Sequence, residues 1–188
     1  LHTKSQFSLL GAVGQPGAYV ERAKELGMTH LALTDEMNLF GAVEFYKAAK
    51  NVGIKPIVGI EAYVTPGTHR SDKARVRWGS PEQSSDDVSG AGAYTHMTLL
   101  SESTEGMHNL FRLSSLASME GYYFKPRMDR EILQKYAKGL IATTGCPSGE
   151  IQTRLRLGQY DAARAAAAEF QDIFGKENYF AEIMDHGL

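Results

Sequence analysis

The sequence predicts an α/β fold organised around a parallel sheet, and two observations support this class. Residues 55–64 (KPIVGIEAYV) are nearly all apolar, rich in Ile and Val, and bounded by Gly53 and by Pro66-Gly67. A run of this kind is typical of a strand that helices cover on both faces. Along the rest of the chain, segments with helical periodicity alternate with short apolar runs, as in parallel strands joined by crossover helices.

Taken in order, the chain contains alternating candidate strands and helices. Strands are predicted at residues 1–10 (a short strand and a loop), 30–34, 55–64, 96–100, 139–144 and 179–184. Helices are predicted at residues 18–26, 40–52, 105–119, 129–136, 150–157 and 160–174, with glycines at several ends and Asp129 as an N-cap. A closed parallel barrel needs more strands than these, so we expect this chain to be the N-terminal part of a larger barrel.

Residues 65–93 interrupt this alternation. They are polar and include four glycines and two prolines. Because loops of this length are uncommon inside compact domains, we interpret the segment as a long surface insertion. Its basic residues, Arg70, Lys73, Arg75 and Arg77, either form a solvated loop face or contact phosphates.

Composition excludes several classes of protein. With 188 residues and a net charge of −2, the chain does not fit a free-standing nucleic-acid binder that relies on a broad basic surface. No apolar run is long enough to span a bilayer. The single cysteine, Cys146, excludes an internal disulfide framework and fits a reducing cytoplasm, which is where we expect the protein to be located.

Polar side chains recur near the ends of the predicted strands, where α/β folds bind ligands. Imidazole, carboxylate and thiolate groups gathered at one barrel mouth would suit zinc, iron or manganese. Other interpretations stay open: Glu61 as a hydrogen-bonded core acid, His96 as the plain start of a strand, and Cys146 as a small buried residue in a turn. A Cys146 nucleophile has no histidine nearby in sequence to support it. The candidate positions are His2, Lys4, Asp35, Glu36, Glu61, His96, Cys146, Asp185 and His186.

Long blocks of the sequence resemble one known family. The blocks LHTKSQFSLL, LALTDEMNLFGAVEFYKAAKNVGIKPIVGIEAYV, DDVSGAGAYTHMTLL, YYFKPRMDRE, GLIATTGCPSGEIQTRLRLGQ and YFAEIMDHGL are similar to successive parts of the polymerase and histidinol phosphatase (PHP) domain. The form they resemble is the one at the N-terminus of bacterial DNA polymerase III alpha subunits, in its actinobacterial branch. The resemblance covers essentially all of residues 1–188 and implies a distorted parallel β/α barrel. Active members of the family bind a cluster of metal ions and remove nucleotides from the 3′ end of DNA.

The resemblance also assigns residues. It makes His2, Glu61, His96 and Cys146 the matches to metal ligands, and it gives Asp185 and His186 no ligand role. Three ligand positions are substituted: Lys4 stands for a histidine, Gly11 for an aspartate and Glu36 for a histidine.

Three hypotheses follow from these substitutions. The first is a degenerate PHP domain, inactive by itself, which binds no metal tightly and supports the polymerase structurally. The second is a metal-dependent 3′–5′ exonuclease or phosphoesterase that uses His2, Glu36, Glu61, His96 and Cys146 with zinc, manganese or iron. The third, a free-standing regulatory module, is disfavoured because an incomplete barrel would expose a sheet edge.

The first hypothesis brings further expectations. The partners implied are the remainder of the alpha subunit and, through the full-length protein, DNA and other replisome subunits; no membrane is implied. Without metal, Glu36 and Glu61 would be like charges in one mouth, so we expect Lys4 to form a salt bridge with Glu36, Glu61 or both. Cys146 should then be an ordinary, slowly reacting thiol.

Overall fold

The central sheet of the computed structural model has five strands in the order β1-β2-β3-β4-β5. The structure describes residues 1–79 and 88–185. The strands are β1 (His30–Glu36), β2 (Lys55–Val64), β3 (Thr95–Ser101), β4 (Leu140–Thr143) and β5 (Tyr179–Phe180). The helices are α1 (Pro16–Glu25), α2 (Ala42–Val52), α3 (Thr104–Glu120), α4 (Arg130–Lys135), α5 (Glu150–Arg156) and α6 (Tyr160–Phe174).

The prediction of an all-parallel sheet is wrong at one strand. The pairs β1–β2 and β4–β5 are parallel, whereas β3 runs antiparallel to both β2 and β4. The described part of the connection from β2 to β3 contains a short 3₁₀ turn at Ser89–Gly92 and no α-helix. Two helices, α3 and α4, then return the chain to the original direction.

The strand predicted within residues 1–10 is also wrong. Ser8 N–H donates to Ser5 O at 2.8 Å and closes a turn. The Ser5 hydroxyl donates to Asp35 Oδ2 at 2.8 Å, and the Ser8 hydroxyl donates to Asp35 Oδ1 at 2.6 Å. Serine side chains that bond locally in this way compete with a strand ladder, so the segment folds as turns around the buried Asp35 carboxylate.

Two apolar clusters hold the sheet and helices together. The smaller one joins α1 and α2 to β1 and β2 through Val20, Phe45, Ile54 and other side chains. The larger one packs β2, β3 and β4 against α3, α4 and α6, with Leu99, Leu110 and Phe170 almost fully buried. Burial of an apolar side chain of this size contributes roughly 1.5–3 kcal/mol, so these clusters fix the positions of the strand ends where the polar residues gather.

Only part of residues 65–93 behaves as the predicted solvated insertion. Lys73, Arg75 and Arg77 are exposed, as expected. Arg70 is not: its side chain is 11% exposed and forms ion pairs with Glu120 and Asp129. Residues 80–87 lie outside the described part of the chain.

Trp78 anchors this segment to the body of the fold. Its ring is 6% exposed and lies 4.7 Å from the Arg154 guanidinium carbon. Its carbonyl accepts a hydrogen bond from the side chain of Gln159. The insertion is therefore packed against α5 and the start of α6.

A second basic residue, Arg127, lies fully inside the fold at 1% exposure. Its guanidinium donates to the carbonyls of Gly121 at 3.0 Å, Ala93 at 3.2 Å, Arg70 at 2.9 Å and Asp72 at 2.7 Å. Burial lowers the pKa of this guanidinium. One side chain thus joins the insertion to the segment that follows α3.

Candidate metal centre

Glu61 is the centre of the candidate site. It lies in the C-terminal half of β2 with a side chain that is 5% exposed. The Lys4 ammonium donates to Glu61 Oε2, and His96 Nδ1 lies 2.5 Å from Glu61 Oε1. His2 Nδ1 lies 3.6 Å from Oε2 of the same carboxylate. The predicted salt bridge of Lys4 is thereby confirmed for Glu61.

These three basic groups control the charge of Glu61. Burial by itself would raise the pKa of this carboxyl group, but the hydrogen bonds from His2, His96 and Lys4 outweigh it and lower the pKa below its ordinary value. The bond to Glu61 raises the pKa of His2 against the effect of burial, and Glu182 contributes to the same increase. The site is therefore an anionic centre surrounded by cationic groups of the protein itself.

Cys146 approaches the same centre from the turn after β4. Its Sγ lies 3.5 Å from His96 Nδ1. Burial opposes ionisation of both groups, but their mutual contact lowers the pKa of Cys146 and, together with Glu61, raises the pKa of His96 to about 9. The histidine that sequence proximity did not supply is supplied by the antiparallel pairing of β3 with β4, and its contact makes Cys146 more acidic than the ordinary thiol that the sequence predicts.

Gly11 and Glu36, the other two substituted ligand positions, lie next to each other beside this centre. A Cβ atom at Gly11 would lie 3.0 Å from Glu36 Oε1, so an aspartate at position 11 would point at the Glu36 side chain. Glu36 is paired with Glu61 in the register of β1 and β2, but its Oε2 accepts a hydrogen bond from the Tyr63 hydroxyl at 2.6 Å. Lys4 therefore contacts Glu61, and Glu36 is satisfied by Tyr63.

Glu182 is a site residue that the sequence analysis missed. Its Oε1 lies 2.9 Å from His2 Nε2, and its Oε2 accepts a hydrogen bond from the Thr143 hydroxyl at 2.5 Å. The same signal that indicated Glu61, an acid inside an apolar run, was present at Glu182 in YFAEIM. Asp185 follows at the end of the described residues, and His186 lies outside them.

Among the described residues, one set of potential metal ligands lies at this centre. Donor atoms of Glu61, His96 and Cys146 lie within 4.8 Å of one another. Carboxylate, imidazole and thiolate together suit zinc or iron better than magnesium or calcium. The Lys4 ammonium already contacts Glu61 Oε2. The ligand set therefore fits a single metal ion coordinated by Glu61, His96 and Cys146, and not a cluster of ions.

A second group of potential ligands, His69, Asp129 and Glu131, also lies within 4.8 Å. Here the Arg70 guanidinium donates to Asp129 Oδ2 and to Glu131 Oε2, both at 3.1 Å. Asp129 also accepts from the Ile132 N–H as the N-cap of α4. The cation in this cluster is an arginine, so we interpret it as a structural ion-pair network.

The sheet, its covering helices and the polar residues gathered at one end of it define an α/β domain with a candidate metal centre. The chain belongs to the PHP domain family, which matches residues 1–186. The crystal structure of a protein described as a metal-dependent phosphoesterase from Bifidobacterium adolescentis superimposes with a TM-score of 0.51 at 15% identity, over 87% of this chain and 72% of the other. This likeness supports the α/β fold class alone.

More similar relatives identify the form of the domain. The chain is 55% identical to the DNA polymerase III subunit alpha of Saccharopolyspora erythraea and 51% identical to that of Mycobacterium tuberculosis, with 100% of this chain covered in both cases. The corresponding protein of Deinococcus radiodurans is 44% identical. The chain spans only 14–16% of the length of these relatives, and it matches their N-terminal region.

Proposed function

We propose that the chain is the N-terminal part of the PHP domain of a DNA polymerase III alpha subunit, with a degenerate metal site and a structural role in DNA replication. The observation that supports the degenerate site is the Lys4 ammonium on Glu61 Oε2. A fixed ammonium next to a ligand carboxylate opposes a divalent cation electrostatically and also removes one lone pair from coordination.

The structural role follows from what the polar network connects. Lys4 and His2 connect the N-terminal segment to Glu61 on β2, and His96 connects β3 to the same carboxylate. Cys146 contacts His96 from the turn after β4. Glu182 connects His2 to Thr143 beyond the end of β5. Five segments distant in sequence are thus connected at one end of the sheet by polar contacts around Glu61.

The segment 65–93 would be an insertion of this single domain, anchored by Trp78 and Arg127. The remainder of the alpha subunit would be its direct partner, and DNA and other replisome subunits would be reached through the full-length, cytoplasmic polymerase. None of the helices in the described residues is long and apolar enough to cross a membrane. Nucleotidyl transfer would belong to other parts of that polymerase.

A metal-dependent 3′–5′ exonuclease or phosphoesterase is the second candidate, and the geometry of Glu61, His96 and Cys146 favours it. An ion on these three residues would supply a Lewis acid and lower the pKa of a bound water. His2, which lies 3.6 Å from Glu61 Oε2 and is bonded to Glu182, would orient the carboxylate. Zinc, iron and manganese are the ions to test.

A nuclease assay separates the two functions. Full-length protein is incubated with 3′-labelled single-stranded DNA and Mn²⁺ or Zn²⁺, with and without chelator, beside a Glu61→Gln variant that removes the central carboxylate charge. The structural proposal predicts that parent and variant release label at the same background rate. Release by the parent that both chelator and Glu61→Gln abolish would contradict it and support the exonuclease.

A variant with restored ligands gives the converse test. Lys4→His, Gly11→Asp and Glu36→His replace all three substituted positions, and Gly11→Asp is made together with Glu36→His because a side chain at position 11 would lie against the Glu36 carboxylate. If these substitutions caused the loss of metal, the triple variant should retain more manganese or zinc after dialysis than the parent does. Equal retention would show that the three positions do not control metal binding.

A further inference from the structure

The start of the insertion is attached to one buried carboxylate. Glu150, the first residue of α5, is 3% exposed. Its Oε2 accepts a hydrogen bond from Arg130 Nη2 at 2.8 Å, and its Oε1 accepts one from Arg154 Nη2 at 2.9 Å. Arg130 Nη1 also donates to the Thr65 carbonyl at 3.0 Å. Because a buried carboxylate needs such partners, both arginines are fixed in place; we call Arg130, Glu150 and Arg154 the clasp.

Trp78 attaches a later point of the insertion to the same clasp. The Arg154 guanidinium carbon lies 4.7 Å from the centre of the Trp78 ring. The Trp78 carbonyl accepts a hydrogen bond from the side chain of Gln159, whose Oε1 lies 3.4 Å from Arg154 Nη1. Residues 71–75 before this anchor are exposed. We call residues 65–78, which begin and end at the clasp, the strap.

The helix that carries the clasp also holds the turn that carries Cys146. The Gly149 N–H, at the start of α5, donates to the Cys146 carbonyl at 2.8 Å. The side-chain amide of Gln152 donates to the Gly145 carbonyl at 3.2 Å. α5 has only seven residues, and a helix of this length is not stable through its own hydrogen bonds. Its position therefore depends on its contacts with the rest of the fold, including those of the clasp.

The other side of this turn contacts β3. The Ser148 carbonyl accepts a hydrogen bond from the His96 N–H at 3.1 Å, and Cys146 Sγ lies 3.5 Å from His96 Nδ1. The turn thus lies between β3 and α5. A displacement of α5 would change the distance between Cys146 and His96.

We propose that the strap controls the contact between Cys146 and His96. While Trp78 is docked on Arg154, the clasp holds α5 in place and the turn stays against β3. When Trp78 leaves, α5 loses this support, the turn moves away from β3, and the contact opens. The proposal goes beyond both candidate functions, because the contact would open in the same way with or without a metal ion. A partner that displaces the strap would therefore alter the candidate site without touching it.

Amide hydrogen exchange in the full-length protein, measured by mass spectrometry of peptides in the presence of chelator, tests this coupling. Trp78→Ala removes the ring that contacts Arg154. Peptides that cover residues 144–157 should then exchange roughly 3–30-fold faster than in the parent, the shift expected from losing one buried contact between a ring and a cation. Acceleration confined to residues 65–79 would overturn the proposal, because it would show that Trp78 holds the strap alone.

Two further variants keep this test decisive. Arg77→Ala changes an exposed neighbour of Trp78 and should leave exchange at residues 144–157 at the parent rate. Trp78→Phe keeps a smaller ring for Arg154 to contact, so its exchange at these residues should be intermediate. If Trp78→Ala also accelerates exchange in β2 and β3, the comparison rests on Trp78→Phe: acceleration at residues 144–157 without a change in β2 and β3 supports the proposal, and the parent rate there overturns it.

The reverse experiment starts from the turn. Coupling between two sites is reciprocal, so a change in the turn should loosen the strap. Gln152→Ala removes a hydrogen bond that holds the turn, and peptides that cover residues 73–79 should then exchange faster than in the parent. Gln171→Ala, at an exposed position on α6, is the control and should have no effect on these peptides. Equal exchange of residues 73–79 in both variants would contradict the coupling.

Discussion

The Lys4 ammonium and the Glu61 carboxylate form a salt bridge at the mouth of the sheet, where the family resemblance implies metal ligands. Their side chains are 22% and 5% exposed, so the pair is largely removed from solvent. In the proposed account the lysine replaces metal as the positive partner of Glu61.

Removing the lysine should destabilise the domain. Lys4→Met leaves the Glu61 carboxylate buried, which usually costs about 3–5 kcal/mol for a fully buried pair. His2 and His96 still contact Glu61, so we expect a smaller loss, on the order of 2–3 kcal/mol. Urea unfolding followed by circular dichroism measures it, with Lys47→Met on the exposed face of α2 as control. A Lys4→Met variant as stable as the control would refute the counter-ion role.

The stability contributed by Glu61 should depend on pH in one direction. Because the folded-state pKa of Glu61 is lowered from an ordinary value of 4.5, its contribution is present above about pH 4.5 and is lost as the pH falls below it. The parent should therefore be more stable than Glu61→Gln at pH 7, by about 2–3 kcal/mol, and the difference should shrink towards pH 3. Unfolding curves at several pH values measure this, and a constant difference would contradict it.

Cys146 should ionise more easily than an ordinary thiol. Its contact with His96 lowers the pKa from the ordinary value of 9.0, so thiolate absorbance at 240 nm should appear at lower pH in the parent than in a His96→Gln variant. The chain has one cysteine, so no other thiol contributes to the signal, and the comparison with His96→Gln removes the contribution that the tyrosines share in both proteins. Chelator should not change the titration; a shift on chelation would show that a metal was bound to the thiolate.

Arg127 should not tolerate replacement by lysine. Its guanidinium donates to four backbone carbonyls in a fixed planar arrangement, and an ammonium has only three donors. Leaving buried carbonyls unpaired costs about 1–3 kcal/mol each, so Arg127→Lys should lower stability by roughly 2–4 kcal/mol. Arg22→Lys, at a surface pair on α1, is the matched control and should change stability by less than about 0.5 kcal/mol.

Much of the fold was predictable because local patterns dominate it. The strand at residues 55–64 and the helix at residues 160–174 have the predicted bounds. Both were predictable because apolar runs and helical periodicity follow directly from which side chains are buried. The direction of β3 was not predictable, because it depends on how residues 65–93 return to the sheet. The first segment was mistaken for a strand because its alternation does not show that Ser5 and Ser8 bind Asp35.

The candidate site was partly predictable for the same reason. Glu61 interrupts an apolar strand, and a buried acid requires a partner, which indicated the site. The Lys4 salt bridge was expected for a different reason: the family resemblance places Lys4 and Glu36 at ligand positions beside Glu61, where two acids without metal need a positive partner. The contact between His96 and Cys146 depends on strand pairing across 50 residues, so spacing along the chain could not indicate it. Glu182 was missed although it interrupts an apolar run as Glu61 does.

Metal content tests the central claim most directly. Full-length protein is purified without chelator, dialysed against metal-free buffer and analysed for zinc, iron and manganese by mass spectrometry of the elements, with protein concentration measured independently. If Lys4 has replaced metal, well under one tightly bound ion per chain should depend on Glu61. The parent and the Glu61→Gln variant should therefore contain the same amount of metal. One or more retained ions per chain that Glu61→Gln releases, accompanied by nuclease activity that chelator abolishes, would contradict it.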